Sequence, residues 1–158
     1  ALKNNKGFVL CTFEENAYLN TPTDGVYVKI VNFSQDESGQ LLIDVHATHR
    51  VKIYNVYQDK QKLRHADIEL FDDYFWPYDA NNTIAFDKNM SHMLQNVFKD
   101  NDIINNLYNK QDFDSPIWVI SRWLELLPIS IEHKIKIRQV TTFEQVTDFV
   151  HNILYAKE

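Results

Sequence analysis

Cys11 is the only cysteine in the chain, so no intramolecular disulfide can form. It sits in the apolar run Phe8-Val9-Leu10-Cys11, which reads as a buried strand thiol rather than a nucleophile. There are only three glycines, and no G-x-x-x-x-G-K-[ST] loop, which argues against a phosphate cradle. No G-x-S-x-G elbow, H-E-x-x-H pair or paired-cysteine motif is present, so no hydrolase or metal signature stands out. The apolar runs are too short to span a bilayer and no signal peptide is visible; cytoplasmic residence without a membrane partner is the expectation. With 16 basic against 22 acidic residues the formal charge is -6, and no lysine or arginine run occurs. That balance argues against a nucleic-acid backbone as the partner, because such binding rests on neutralising phosphates.

What the chain does have is apolar patterning. At 44% hydrophobic and 13% aromatic, it can bury a substantial core. From Gly25 to Tyr57 the pattern has the period of a strand. Val26, Val28 and Ile30 alternate with Tyr27 and Lys29. Leu41, Ile43, Val45 and Ala47 alternate with Asp44 and His46, and Val51 and Ile53 continue the run. Alternation of this kind predicts a half-buried antiparallel sheet. Between the two runs, Ser34-Gln35-Asp36-Glu37-Ser38-Gly39-Gln40 is a hairpin connection with Gly39 where positive φ is needed. Arg64 to Tyr74 adds a further strand, with Ala66, Ile68 and Leu70 alternating against Asp67, Glu69 and Phe71.

From about Ile84 the period lengthens to that of a helix. Met90, Met93, Leu94, Val97 and Phe98 share one face, and Ile103, Ile104, Leu107 and Tyr108 follow after a break near Lys99-Asp100-Asn101. Asp114-Ser115-Pro116 is a helix start, leading to the apolar face Ile117, Ile120, Trp123, Leu124 and Leu127. Ser130 caps the next helix, with Ile131 and Ile135 inward. Thr142-Phe143-Glu144-Gln145 fits a capping box ahead of Val146, Phe149, Val150, Ile153 and Leu154. The expected organisation is a β-rich part, residues 1–78, and a helical part, residues 79–158.

Candidate chemistry is sparse. His46 and His49, three apart on a strand, face opposite sides unless a bulge intervenes. His65 and Asp67 share a strand face, but two ligands do not make a metal site. His92, His133 and His151 occupy solvated helix positions, and Glu14 and Glu15 read as a surface pair. The segment Tyr74-Phe75-Trp76-Pro77-Tyr78 groups four aromatics around a proline. It reads either as a packed hinge or as an exposed apolar platform for a polypeptide, with Tyr74, Trp76 and Tyr78 as its contact residues.

Two stretches resemble the N-terminal domain of Lon proteases. In the first, a glycine opens a strand, an acidic, glycine-containing loop follows, and the sequence LLIDVHATHRVKI runs through a small and a basic residue into more strand. Ala47, Arg50 and Ile53 stand at the matching places. Ala66, Asp67, Ile68 and Glu69 stand where the family writes an A-E-V-E strand. In the second stretch, WVISRWLELLPISIEHK, Ser121, Arg122, Leu124, Glu125, Leu126, Leu127, Pro128 and Lys134 match a helix ending in an ELLP-type turn. Arg50 and Arg122 read as orienting backbone or acidic neighbours rather than as ligand contacts. The chain departs from the family in its last helix, where Thr142 replaces an acidic cap and Gln145-Val146 replaces an arginine-leucine pair.

The resemblance implies an α+β fold: a small twisted antiparallel sheet or PUA-like pseudo-barrel, then an α-helical bundle. It also implies that the sheet lacks its first strands, leaving an edge able to pair with another chain. Neither the ATPase nor the Ser-Lys protease module of Lon is present. The implied function is therefore non-catalytic recognition of unfolded or partner polypeptides in protein quality control, without a cofactor. The alternatives are an RNA-binding PUA-like module and a structural module that forms a homodimer.

Overall fold

A computed structural model describes residues 7–71, 76, 86–140 and 142–156, with the backbone alone for residues 139 and 140. The chain divides into two compact units, Ala1–Asp73 and Tyr74–Glu158.

The first unit is an antiparallel meander of four strands in sequence order: β1 (Phe8–Leu10), β2 (Asp24–Gln35), β3 (Leu41–Gln58) and β4 (Arg64–Phe71). The alternation seen in the sequence sets the faces, but three one-residue bulges reset its phase. Val31 is extra on β2, since Ile30 pairs with Val45 and Asn32 with Asp44; Thr48 is extra on β3, between the pairs Val28–Ala47 and Tyr27–His49. A third irregularity falls at Asn55 and Val56, opposite Ala66. Asn55 takes φ 50°, a left-handed conformation that asparagine tolerates better than most residues.

The two hairpin loops are built alike. In the β2–β3 loop the Asp36 N–H donates to the Gln40 carbonyl and the Gly39 N–H to the Asp36 carbonyl, both at 3.0 Å. The Asp36 carboxylate accepts from the N–H groups of Ser38 and Gln40, and the Gln35 amide donates to the Gly39 carbonyl. Asp59, Gln61, Leu63 and Gln58 repeat every one of these bonds in the β3–β4 loop. Both loops need one left-handed residue, Gly39 at φ 85° in the first and Lys62 at φ 63° in the second. The hydrogen bonds hold both aspartates below the usual carboxylate range: the Ser38 side chain contributes most at Asp36, and the His65 side chain at Asp59.

Five helices make the second unit: α1 (Lys88–Lys99), α2 (Asp102–Leu107), α3 (Pro116–Leu126), α4 (Ile131–Val140) and α5 (Phe143–Leu154). Their starts follow the sequence signals. Asp87 caps α1, Asn101 caps α2 at the expected break, Pro116 opens α3, and Thr142 with Gln145 forms the capping box of α5. Ser115, expected to cap α3, makes no side-chain cap bond. The apolar faces of α1, α3 and α5 bury Met90, Leu94, Phe98, Val119, Ile120, Val146 and Val150 in one core. The Trp123 indole N–H donates to the Met90 carbonyl at 3.1 Å, tying α3 to α1. The ELLP-type turn has a mechanical explanation. Leu127 closes α3 in an extended conformation, and the Lys134 ammonium donates to the Glu125 carbonyl at 3.0 Å, satisfying a helix-end oxygen.

Burial expectations fail at several positions, Ile103 and Leu107 of α2 among them. Cys11 lies just past β1 and is exposed, because the strand ends at Leu10. Partial burial nonetheless pushes its thiol above the usual value, so it is not an activated thiolate. Ile131 is exposed as well, since α4 opens with its first turn directed to solvent.

Candidate functional site

The most unusual surface is the outer half of the β2–β3 hairpin. β1 pairs β2 only over Val26–Val28, and β4 pairs β3 only over Arg50–Gln58. Among the described residues, the ribbon formed by residues 29–35 and 41–46 is therefore two-stranded. An isolated two-stranded ribbon is marginal unless something covers it.

Its side chains are sorted by side. The pairs Ile30–Val45, Phe33–Ile43 and Gln35–Leu41 share one side, because residues directly opposite in an antiparallel pair point the same way. Lys29–His46, Asn32–Asp44 and Ser34–Leu42 occupy the other, where the Asn32 amide donates to the Asp44 carboxylate at 3.0 Å. The apolar side is open: Leu41 is 68% exposed, Phe33 43%, Ile43 41% and Val45 38%. Leu41, Ile43 and Val45 were expected on the buried face of a half-buried sheet, yet only Val28, Val51 and Ile53 of this unit are buried hydrophobics among the described residues. The ribbon extends beyond the strands that could cover it. Full burial of one such side chain contributes about 1.5–3 kcal/mol, so leaving four of them in water forgoes a large stabilisation. Contiguous apolar surface of this kind marks interaction sites.

The aromatic segment behaves differently. Trp76 is 5% exposed and packs in the core of the helical unit, not at the end of the β-rich part. An indole in that position stabilises the helices and offers no platform. Tyr74 and Tyr78 lie outside the described residues.

The histidines take structural places. The Thr48 bulge reverses the expectation for His46 and His49: they pair with Lys29 and Tyr27, two apart on β2, and so share one face. Among the described residues no group of three histidine, cysteine, aspartate or glutamate side chains could hold a metal. His65 bonds Asp59 at 2.9 Å and stacks on Tyr57, while Asp67 accepts from the Asn55 amide. His92 and His133 are exposed. His151 packs against Tyr155 with the rings tilted by 33° and their centroids 4.4 Å apart, and the Tyr155 hydroxyl donates to Asp87 at 2.7 Å.

Arg122 is likewise structural. Its guanidinium bonds Glu125 at 2.7 Å and lies over the Tyr108 and Trp118 rings, at 4.7 and 5.6 Å from their centroids. The Tyr108 hydroxyl donates to the other oxygen of Glu125, and burial followed by that bond pushes the phenol up to about 12. A cleft of about 410 Å³ beside α1 is lined by Lys88, Ser91, His92, Gln95 and Asp114 among others. The Ser91 hydroxyl there is engaged by the Phe113 carbonyl. No helix among the described residues is long and apolar enough to cross a membrane.

No family model matches the chain, and no curated protein matches it. Solved structures do. A Lon N-terminal domain protein from Xanthomonas campestris superposes with a TM-score of 0.62, covering 94% of this chain and 76% of its own, at 15% identity. The N-terminal domain of the Mycobacterium avium complex Lon protease gives 0.59, covering 92% and 75%, at 14% identity.

The fold is that of Lon N-terminal domains. At these identities the likeness is one of architecture, and it extends over the sheet unit and the helical unit alike. Within this Lon N-terminal fold, the ELLP-type turn and Arg122 act as packing and capping elements. The sequence pattern marks Leu41, Ile43 and Val45 as one face of the ribbon but not their exposure. Alternation specifies two faces and carries no signal of whether a second layer covers either one.

Proposed function

We propose that this chain is a non-catalytic polypeptide-recognition module serving protein quality control, and that the β2–β3 ribbon is its contact surface. The carrying observation is the apolar side of that ribbon, Phe33, Leu41, Ile43 and Val45, left in water on a Lon N-terminal fold. An unfolded client offers apolar side chains. The ribbon offers their complement, a row of apolar side chains. Affinity from this source is tolerant of salt, unlike affinity from phosphate contacts.

The test is binding of the chain to a permanently unfolded, fluorescently labelled polypeptide at low and high salt, without nucleotide. Saturable, salt-tolerant binding that Ile43→Asp and Phe33→Asp abolish is the expected result. Absence of saturable binding, or binding indifferent to both substitutions, overturns the reading. Trp76→Ala is not a probe of this surface, because its indole belongs to the helical core.

A further inference from the structure

We propose that the cleft beside α1 binds the carboxylate end of a peptide whose last side chain is apolar. Its lining, between Phe86 and Pro116, belongs to the helical unit, so the site stands independently of the ribbon and of the reading attached to it.

Two walls define this cleft of about 410 Å³. One is the face of α1 on which Lys88, Ser91, His92 and Gln95 follow one another at helical spacing. The other is the connection into α3, with Phe113, Asp114 and Pro116. The Ser91 hydroxyl donates to the Phe113 carbonyl, which ties the walls together. The Phe113 ring meets Trp118 and Phe98 edge-on, at 5.0 and 5.4 Å between centroids, and the ring of Pro116 fixes its own φ. The cleft is thus formed before any ligand arrives, which lowers the cost of binding. Its volume lies at the small end of ligand sites, room for the end of a chain rather than for a folded partner.

The chemistry of the lining selects the ligand. Ser91 is satisfied, but among the described residues Lys88, His92, Gln95 and Asp114 have no side-chain hydrogen bond or ion pair. Four unengaged polar groups around one cleft suit a ligand that carries their complements. Lys88 opens α1, where a cation opposes the helix macrodipole, and a bound anion offsets that cost. The Lys88 ammonium and the His92 imidazole, one turn apart, are donors for a carboxylate. The Gln95 amide donates to a peptide carbonyl, and the Asp114 carboxylate accepts from a peptide N–H. Phe86, Phe113 and Pro116 give the last side chain an apolar bed. The carboxyl end of a chain presents all of these groups within its last two residues. An amino terminus would find one carboxylate, Asp114, and the Lys88 charge opposing it.

Fluorescence anisotropy of a short peptide, labelled at its amino terminus and ending in phenylalanine, tests this when titrated with the 158-residue chain up to about 1 mM. The expected result is saturable binding that weakens at least about tenfold when an amide replaces the carboxylate, since both charge-assisted bonds are lost. Lys88→Gln and His92→Gln each weaken it about three- to thirtyfold. Glycine in place of the terminal phenylalanine weakens it about tenfold or more. Lys88 and His92 are exposed, and an unchanged circular dichroism spectrum shows that the variants fold. Ile43→Asp leaves this binding intact, which separates the cleft from the ribbon. Equal binding of acid and amide, binding indifferent to Lys88→Gln and His92→Gln, or no saturable binding overturns the inference. An amidated peptide with a free amino terminus that binds more tightly than the acid overturns it equally, because Asp114 would then be the recognising group.

Discussion

The two units invert each other's use of apolar residues. Among the described residues, the sheet unit buries three hydrophobic side chains, Val28, Val51 and Ile53, while the helical unit buries thirteen. Large exposed hydrophobics run the other way, with thirteen on the sheet unit and four on the helices (Ile103, Leu107, Ile131 and Tyr155). A helix hides its apolar stripe against any neighbour that crosses it, and α1, α3 and α5 do this for one another. A strand beyond the reach of a covering layer cannot. The helical unit thus invests its hydrophobic residues in its own stability, and the sheet unit keeps them available for contact.

The largest expected effect tests that inversion directly. Leu94→Ala, in the helical core, costs about 2–5 kcal/mol, whereas Ile43→Ala on the ribbon costs less than about 1 kcal/mol. Urea unfolding distinguishes them. All three tryptophans, Trp76, Trp118 and Trp123, belong to the helical unit, so their fluorescence reports that unit alone, while far-UV circular dichroism reports both. Equal losses from the two substitutions would break the comparison.

A smaller effect belongs to acid. The Asn89 N–H, and then the Tyr155 hydroxyl, hold the Asp87 carboxyl below its ordinary range. The same bond raises the Tyr155 phenol. A carboxyl whose value is lower in the folded than in the unfolded chain contributes stability above its unfolded value and loses it as pH falls through the folded one. Tryptophan fluorescence should therefore show the helical unit weakening below about pH 4, with a shallower slope in Asp87→Asn. A slope unchanged by that substitution would remove Asp87 from the account.

The smallest effect comes from the twin loops. Lys62 occupies the left-handed position that Gly39 fills without strain, so Lys62→Gly should stabilise the sheet unit by about 0.5–1 kcal/mol and Gly39→Lys should destabilise it comparably. Thermal melts followed by circular dichroism check both signs.

Much of this was legible in the sequence. Period-two and period-3.6 patterns located the strands and helices, the Thr142–Gln145 capping box formed as written, and the α1–α2 break fell at Asn101. Resemblance in LLIDVHATHRVKI and the ELLP turn reached a fold that no family model detects. The bulges were not legible. One extra residue at Thr48 carries no compositional mark, yet it turns His46 and His49 to the same face. Trp76 was ambiguous for a related reason: an aromatic beside a proline reads the same whether it packs inward or stands open, and only the helices around it decide.

The bulges at Val31 and Thr48 have a consequence for how insertions would be accommodated. They separate the phase of the ribbon from the phase of the sheet below it, so the outer strands can change length without disturbing the base. Residues added in matched pairs beyond Val31 and before Thr48 would extend the arm by about 3.4 Å per pair and leave the packing around Val28 and Val51 untouched. The reach of this surface is thus a length that matched insertions could set without a change in the core.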